Sequence, residues 1–271
     1  MHQNLLVVVG LLGYVVAHGG TSNYTVDGVW YDGYSPDASA ESQDGQPWLI
    51  QRKWITIDPI FEPDNISLAC NFPGDPAPSS IPIRAGDNIT AVYYYWLHTV
   101  GPMVLWMADC GADCRTFNAS QGDWFKIAQR GLISGTIQEG MWGQRLFQNW
   151  DGTPDLWTET IPASLKAGNY LIRHEIIALH IAHKPQFYPE CAHLTVSGNG
   201  TESPGKEYLA KIPGVYTMDQ PEIKIDIYSS EVANLTTYTI PGPPVWTGEN
   251  VALDRLVEGF KGPKERKIKL T

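Results

Sequence analysis

Hydrophobic and polar residues change places over short stretches in this chain, and no stretch sustains a long helical period. IPIRAGDNITAVYYYW (81–96) and LKAGNYLIRHEIIALHIA (165–182) each set a glycine-containing turn beside β-rich sequence, and EIKIDIY (222–228) alternates isoleucine with lysine, aspartate and tyrosine. Short strands separated by long Gly/Pro loops, without βαβ alternation, predict an all-β fold built as an antiparallel β-sandwich. IPGPPVWTG (240–248) closes that domain, because its prolines cannot continue a central strand. The expected organisation is an N-terminal segment 1–17, one domain over 18–246, and a C-terminal tail 247–271 that is basic at its end and reads as solvated.

The N-terminal segment, MHQNLLVVVGLLGYVVA, is an apolar run too short to span a bilayer comfortably, and its final Val15-Val16-Ala17 reads as a signal-peptidase site. A basic start is missing; His2 alone stands in for it. Cleavage after Ala17 makes His18 the first residue of a secreted, extracellular chain. An N-terminal histidine offers one metal ion a ring nitrogen and its own α-amine, whose free pKa of about 8 lets a metal displace the proton near neutrality.

Composition narrows the partners. The 271 residues carry 20 Pro, 26 Gly, 10 Trp and 13 Tyr, with a formal net charge of −10. That acidity argues against nucleic acid and against an anionic membrane surface, whereas flat amphipathic rings suit a neutral sugar polymer. Cys70, Cys110, Cys114 and Cys191 make an even number in a secreted chain, so two disulfides are expected among three possible pairings. The short Gly-containing loop of DCGADC allows Cys110 to meet Cys114, which would leave Cys70 and Cys191 as a long-range staple. A four-cysteine zinc site has the wrong spacing and the wrong compartment. Six N-x-[ST] sequons, at Asn23, Asn65, Asn88, Asn118, Asn199 and Asn234, fit the same secretory route.

The remaining histidines are not equivalent. His98 follows an aromatic stretch and precedes a Gly-Pro turn, where a ring projects from a rigid edge. His174 and His180 are six apart, so in a regular strand they share a face, while Arg173 and Glu175 fall on the other and take a structural reading. Gln186 and Tyr188 share parity near Cys191, with Phe187 pointing away, so His180, Gln186 and Tyr188 are candidates for one polar patch. His183 and His193 read as surface or loop histidines.

These segments resemble a known family. His18 after the leader, DGVWYDGY, IQRKWITIDPIFEPDNISLACN, HTVGPM, GDWFKI, IPASLKAGNYLIRHEIIALH and QFYPEC resemble, in order and over most of 18–245, the fungal lytic polysaccharide monooxygenases of auxiliary activity family nine. The resemblance implies an immunoglobulin/fibronectin-like sandwich with long loops and a flat, copper-bearing face. It implies one copper ion per chain, held in a histidine brace by His18, through its amine and one ring nitrogen, and by His98. Tyr188 is then the axial residue, and His180 with Gln186 the outer pair that handles an oxygen species. The family's pairing gives Cys70–Cys191 and Cys110–Cys114, and its aromatic face suggests Tyr34 and Tyr228 as substrate contacts. The implied partners are insoluble cellulose or a related β-1,4-glucan, dioxygen or hydrogen peroxide, and an external reductant, acting on a monomer. The sequence departs from the family in the apolar run TVGPMVLWMAD after His98, and no Ser/Thr-rich linker or cellulose-binding module follows the domain.

The residue types suit the chemistry on their own terms. Three nitrogens hold copper in both oxidation states and leave positions open, whereas Cys or Met ligands favour pure electron transfer. Three other readings compete. A copper store or carrier needs the brace but not the oxygen-handling residues. A glycoside hydrolase needs two carboxylates about 5–10 Å apart, and no persuasive pair lies near the histidines. A carbohydrate-binding module explains the aromatics but not the histidines.

Overall fold

The computed structural model describes residues 18–35, 38–93 and 96–250. The leader 1–17 and residues 251–271 of the basic tail lie outside the described residues. In chain order the strands are β1 (Thr21–Val26), β2 (Val29–Asp32), β3 (Ile81–Arg84), β4 (Asn88–Tyr93), β5 (Met103–Gly111), β6 (Trp124–Arg130), β7 (Leu132–Ser134), β8 (Met141–Trp142), β9 (Asp155–Thr160), β10 (Gly168–Ala178), β11 (Gln186–Ser197) and β12 (Leu209–Ala210). The described α-helices are single turns, Ala40–Gln43 and Gly143–Phe147. No helix among the described residues is long and apolar enough to cross a membrane.

Two sheets form the sandwich. One has the order β2-β1-β4-β9, and the other β12-β6-β5-β10-β11-β3. The pairings are antiparallel except that β3 runs parallel to the end of β11. That exception follows from the turn in IPIRAGDNITAVYYYW. Gly86, at φ +99°, sends the chain from β3 in the larger sheet to β4 in the smaller one, so the two strands bridge the layers rather than form a hairpin.

The larger sheet is covered on both faces, which accounts for its unbroken apolar runs. Its inner face packs on the smaller sheet through Leu105, Met107, Tyr170, Ile172 and Ile176, together with Tyr24, Ala91 and Trp157. Its outer face, with Val104, Trp106, Leu171, Ile177 and Phe187, is covered by long loops. TVGPMVLWMAD is therefore the start of a central strand, with Met103 to Ala108 fully buried. EIKIDIY corrects the strand expectation. Its Ile223, Ile225 and Ile227 are buried on that outer face and the residues between them are not, yet the segment forms turns and pairs with no strand. The alternation records one-sided burial, which a loop satisfies as well as a ladder.

A buried ion pair lies on the covered outer face. Arg173 and Glu175 are fully buried and meet at 2.6 Å. The guanidinium also donates to the carbonyls of Leu68 (2.8 Å) and Ala69 (2.9 Å), while the Glu175 carboxylate accepts from Trp106 Nε1 (3.1 Å) and Tyr216 Oη (2.7 Å). This pair therefore ties two covering loops to β10. The cysteines pair as Cys70–Cys191 and Cys110–Cys114. The first staples the 50–75 segment to β11, where the amide of Arg52 also donates to the Cys191 carbonyl at 2.8 Å. At the other end Trp246 is fully buried, edge-on to Phe125, with its amide bonded to the Lys126 carbonyl.

The two disulfides close very different loops, 121 and 4 residues apart in sequence. Chain-entropy scaling predicts that Cys70→Ala with Cys191→Ala lowers unfolding free energy by about 4–5 kcal/mol, and Cys110→Ala with Cys114→Ala by only about 2 kcal/mol. Urea denaturation of the two double variants measures this. Equal losses would contradict the account.

Candidate metal centre

Antiparallel pairing brings the site residues to one end of the larger sheet. Ile176 of β10 lies opposite Met103 of β5 on one side and Tyr188 of β11 on the other, and Ala178 faces Gln186. The segment entering β5 carries His98, the loop leaving β10 carries His180, and β11 opens with Gln186 and Tyr188. His18 enters from the start of the smaller sheet, three residues before β1.

The His18 and His98 rings lie 5.6 Å apart between centroids, and each is within 6 Å of the Tyr188 ring. His98 Nε2 is 3.2 Å from Tyr188 Oη, which donates at 2.8 Å to Gln186 Oε1. His180 stacks on His98 at 4.1 Å with the planes 15° apart. Its position comes from the loop and not from strand parity with His174, because the chain leaves the sheet after Ala178. His174 itself is buried between Tyr24 and Trp157 inside the sandwich.

Further residues hold this arrangement. Trp96 meets both His98 (5.3 Å) and Tyr188 (4.8 Å) edge-on, and its Nε1 donates to Gln144 Oε1. Gln144 donates in turn to the Ile177 carbonyl, and Gln148 Nε2 donates to the His98 carbonyl at 2.8 Å. Gly101 (φ +125°) lets the segment after His98 lie on Ile177, where a Cβ would strike the Ile177 carbonyl oxygen. Asp58 Oδ1 lies 3.9 Å from His18 Nδ1 at the exposed rim. Gln144 and Gln148 come from some 50 residues downstream of Trp96 and His98, so local pattern cannot reveal them; Trp96, two residues before His98, was open to notice as a ring beside a candidate ligand.

The electrostatics keep His98, His180 and Tyr188 neutral. Burial, then the neighbouring His180 and His18, pushes His98 down to about 4. Burial first and His18 second also lower His180, whose Nδ1 is buried without a partner. Burial, then Glu190 and Asp58, raises the Tyr188 phenol, which stays protonated. A neutral imidazole keeps the lone pair that a metal requires. Among the described residues no three His, Cys, Asp or Glu side chains converge as a metal cluster. Two facing rings that await a third, main-chain nitrogen fit copper and do not fit a closed zinc cage.

The other candidates divide. Tyr228 is 55% exposed, and its hydroxyl donates to the His180 carbonyl at 2.9 Å, which sets its ring beside the centre. Tyr34 is corrected: it is 8% exposed and packs with Leu49 and Trp54, so its ring is core and not a sugar platform. His193 is corrected as well, being 2% exposed on the loop-covered face of β11, whereas His183 is exposed. Asn65, Asn88, Asn118, Asn199 and Asn234 are exposed; Asn23 is half-buried in β1 and donates to Asp32 at 3.1 Å.

Comparison with known proteins shows the family and the fold. Residues 18–238 match Auxiliary Activity family 9 (formerly GH61), and the chain belongs to that family. The AA9 family lytic polysaccharide monooxygenase B of Heterobasidion irregulare is 46% identical over 238 residues, 86% of this chain and 93% of that protein. The crystal structure of HiLPMO9B superposes with a TM-score of 0.79 at 45% identity, covering 85% of this chain and 100% of that one. A cellulose-active polysaccharide monooxygenase from M. thermophila superposes with a TM-score of 0.77 at 36% identity, covering 86% and 100%. The chain is thus an enzyme of the lytic polysaccharide monooxygenase class, copper-dependent oxidoreductases that are generally secreted by fungi.

The neutrality of His98 has a pH signature. A base whose folded pKa is depressed contributes stability that is complete above its unfolded pKa of about 6.5 and is lost as pH falls towards about 4. An imidazole 15N titration of the metal-free protein is expected to give His98 a midpoint near 4. A midpoint near 6.5 would show that the ring is not shielded as described.

Proposed function

We propose that residues 18–246 form a secreted, monomeric monooxygenase that oxidatively cleaves β-1,4-glycosidic bonds of cellulose, at carbon 1, carbon 4 or both. It uses dioxygen or hydrogen peroxide and an external electron donor. The observation that carries this reading is the facing of His18 and His98 at 5.6 Å, with the Tyr188–Gln186 hydrogen bond directly beside them. Two further findings support it: the family match begins at His18, and a cellulose-active relative shares the fold at 36% identity.

Cleavage after Ala17 frees the α-amine of His18. The amine, the His18 ring and His98 Nε2 then supply three nitrogens for one copper ion. When bound, copper supplies electron transfer to the oxidant and the means to remove hydrogen from a glycosidic carbon. The chain does the rest. Tyr188 stays protonated, donates its hydrogen to Gln186 Oε1 and keeps its ring within 6 Å of the His18 and His98 rings. That bond fixes the Gln186 carboxamide, so its NH2 group is presented in a set direction. His180, lowered below the usual imidazole range and held parallel to His98, is neutral near pH 7 with one ring N–H to give to a reactant oxygen. Trp96 and the interior packing exclude water from the inner side. Tyr228 offers an exposed ring to the polymer beside the reacting centre, as amphipathic aromatics do for sugar faces.

His18→Ala and His98→Ala are each expected to abolish copper binding by calorimetry and all oxidised products. Gln186→Leu and Tyr188→Phe should keep the metal and lose about 10–100-fold in turnover, the usual cost of removing outer partners of a metal centre. Tyr228→Ala should keep copper and peroxide formation and weaken binding to cellulose. Mass spectrometry of products from swollen cellulose, with and without ascorbate, tests the whole reading. Reductant-dependent aldonic acids or 4-keto sugars establish it and identify the carbon attacked. Copper binding without any oxidised sugar would instead favour a non-catalytic copper-binding protein.

A further inference from the structure

Away from the metal centre, a cavity of about 240 Å³ opens where the 50–75 segment meets the loop after the Cys110–Cys114 disulfide. Its rim carries two large apolar side chains that nothing in the fold covers, Ile66 at 70% and Phe72 at 55% exposure. Its wall includes Arg52, which is 5% exposed. The two terminal nitrogens of Arg52 donate to the carbonyls of Gly74, Cys114 and Phe117, but its Nε–H is buried with no partner among the described residues. An uncovered ring beside an unused buried donor suits a ligand with one apolar face and several acceptor oxygens, which describes a sugar.

The sugar's point of attachment lies on the same rim. Asn118 lines the cavity and begins an N-x-S sequon. Its Oδ1 accepts from Ser120 N (3.1 Å) and Ser120 Oγ (2.9 Å), which leaves Nδ2 of this exposed residue without a partner among the described residues. We propose that Asn118 carries an N-linked glycan and that its first sugar, an N-acetylhexosamine, lies in this cavity, with its ring face on Phe72 and Ile66 and an oxygen accepting from Arg52.

The inference rests on the reading of the chain as secreted, since that route supplies the donor, a lipid-pyrophosphate-linked oligosaccharide. In the transfer, Asn118 Nδ2 bonds to the anomeric carbon and the bond from that carbon to the pyrophosphate oxygen breaks. The lipid pyrophosphate leaves and Nδ2 loses one proton, with no change of oxidation state. Two other sequons lack this combination. Asn23 spends its Nδ2 on Asp32 inside a paired strand. Asn199 borders a cavity of about 520 Å³ whose walls carry Arg84 and Glu202 and no aromatic ring.

The test is glycopeptide mass spectrometry of the protein secreted by a filamentous fungus, followed by thermal unfolding of three forms. These are the intact protein, protein trimmed to one sugar per site by an endoglycosidase, and protein stripped by an amidase. Asn118 is expected to be occupied in most molecules. The trimmed form should keep the melting temperature of the intact one, and the stripped form should fall by about 2–4 °C, as for loss of a small stabilising contact in a domain of this size. Phe72→Ser should erase the difference between trimmed and stripped protein without emptying the site. Absence of sugar from Asn118 overturns the proposal alone, and failure of the full-length chain to be secreted with His18 as its first residue overturns it together with the secretory reading. Equal melting temperatures for trimmed and stripped forms would show that the sugar does not lie in the cavity.

Discussion

The register between β10 and β11 decides which side chains reach the metal centre. Eleven consecutive pairs run from Gly168 opposite Val196 to Ala178 opposite Gln186. Within them Tyr188 turns inward with Ile176, while Phe187 turns outward to stack on Tyr216. A slip of one residue would exchange the two faces, put Phe187 beside His98 and bury the phenol among the loops. The same register places Arg173 and Glu175 on the loop-covered face, where each meets groups that a shifted strand could not offer. Cys191 is fixed in that register by its bond to Cys70, so the staple that holds the 50–75 segment also guards the site.

What this register produces is a shielded but uncharged centre. Burying a charge without a partner is costly, and the site avoids the cost by keeping His98 and His180 neutral and Tyr188 protonated. The buried ion pair Arg173–Glu175 lies on the opposite face of the sheet, so charge and metal chemistry are kept apart by one layer of strands. His98, already neutral, offers its lone pair to a cation without first giving up a proton, and that links the fold's aversion to buried charge to the reaction it serves.

Much of this was legible in the chain because it depends on nearest neighbours along a strand. The opposed faces of Gln186, Phe187 and Tyr188, and of Arg173 and His174, follow from a period of two inside strands that run straight past them. His180 shows where that reasoning stops: it lies two residues past the end of β10, and its stacking on His98 is set by a loop. EIKIDIY kept its burial pattern without finding a strand to pair with. Tyr34 and His193 looked like surface residues because what covers them arrives from afar, Leu49 and Trp54 in one case and the segment around Cys114 in the other. Gln144 and Gln148 were invisible for the same reason. The two-ring centre itself was legible mainly through the ordered resemblance to a family, since one histidine after a leader and another before a Gly-Pro turn carry little signal alone.

The central claim is that His18, once it is the first residue, and His98 together bind one copper ion. Anomalous diffraction at the copper edge from crystals of the secreted, copper-loaded protein tests it most directly. The account predicts a single copper peak bonded to the α-amine and ring of His18 and to the ring of His98, with Tyr188 alongside. Copper at another place, or an N-terminus that does not begin at His18, would contradict it.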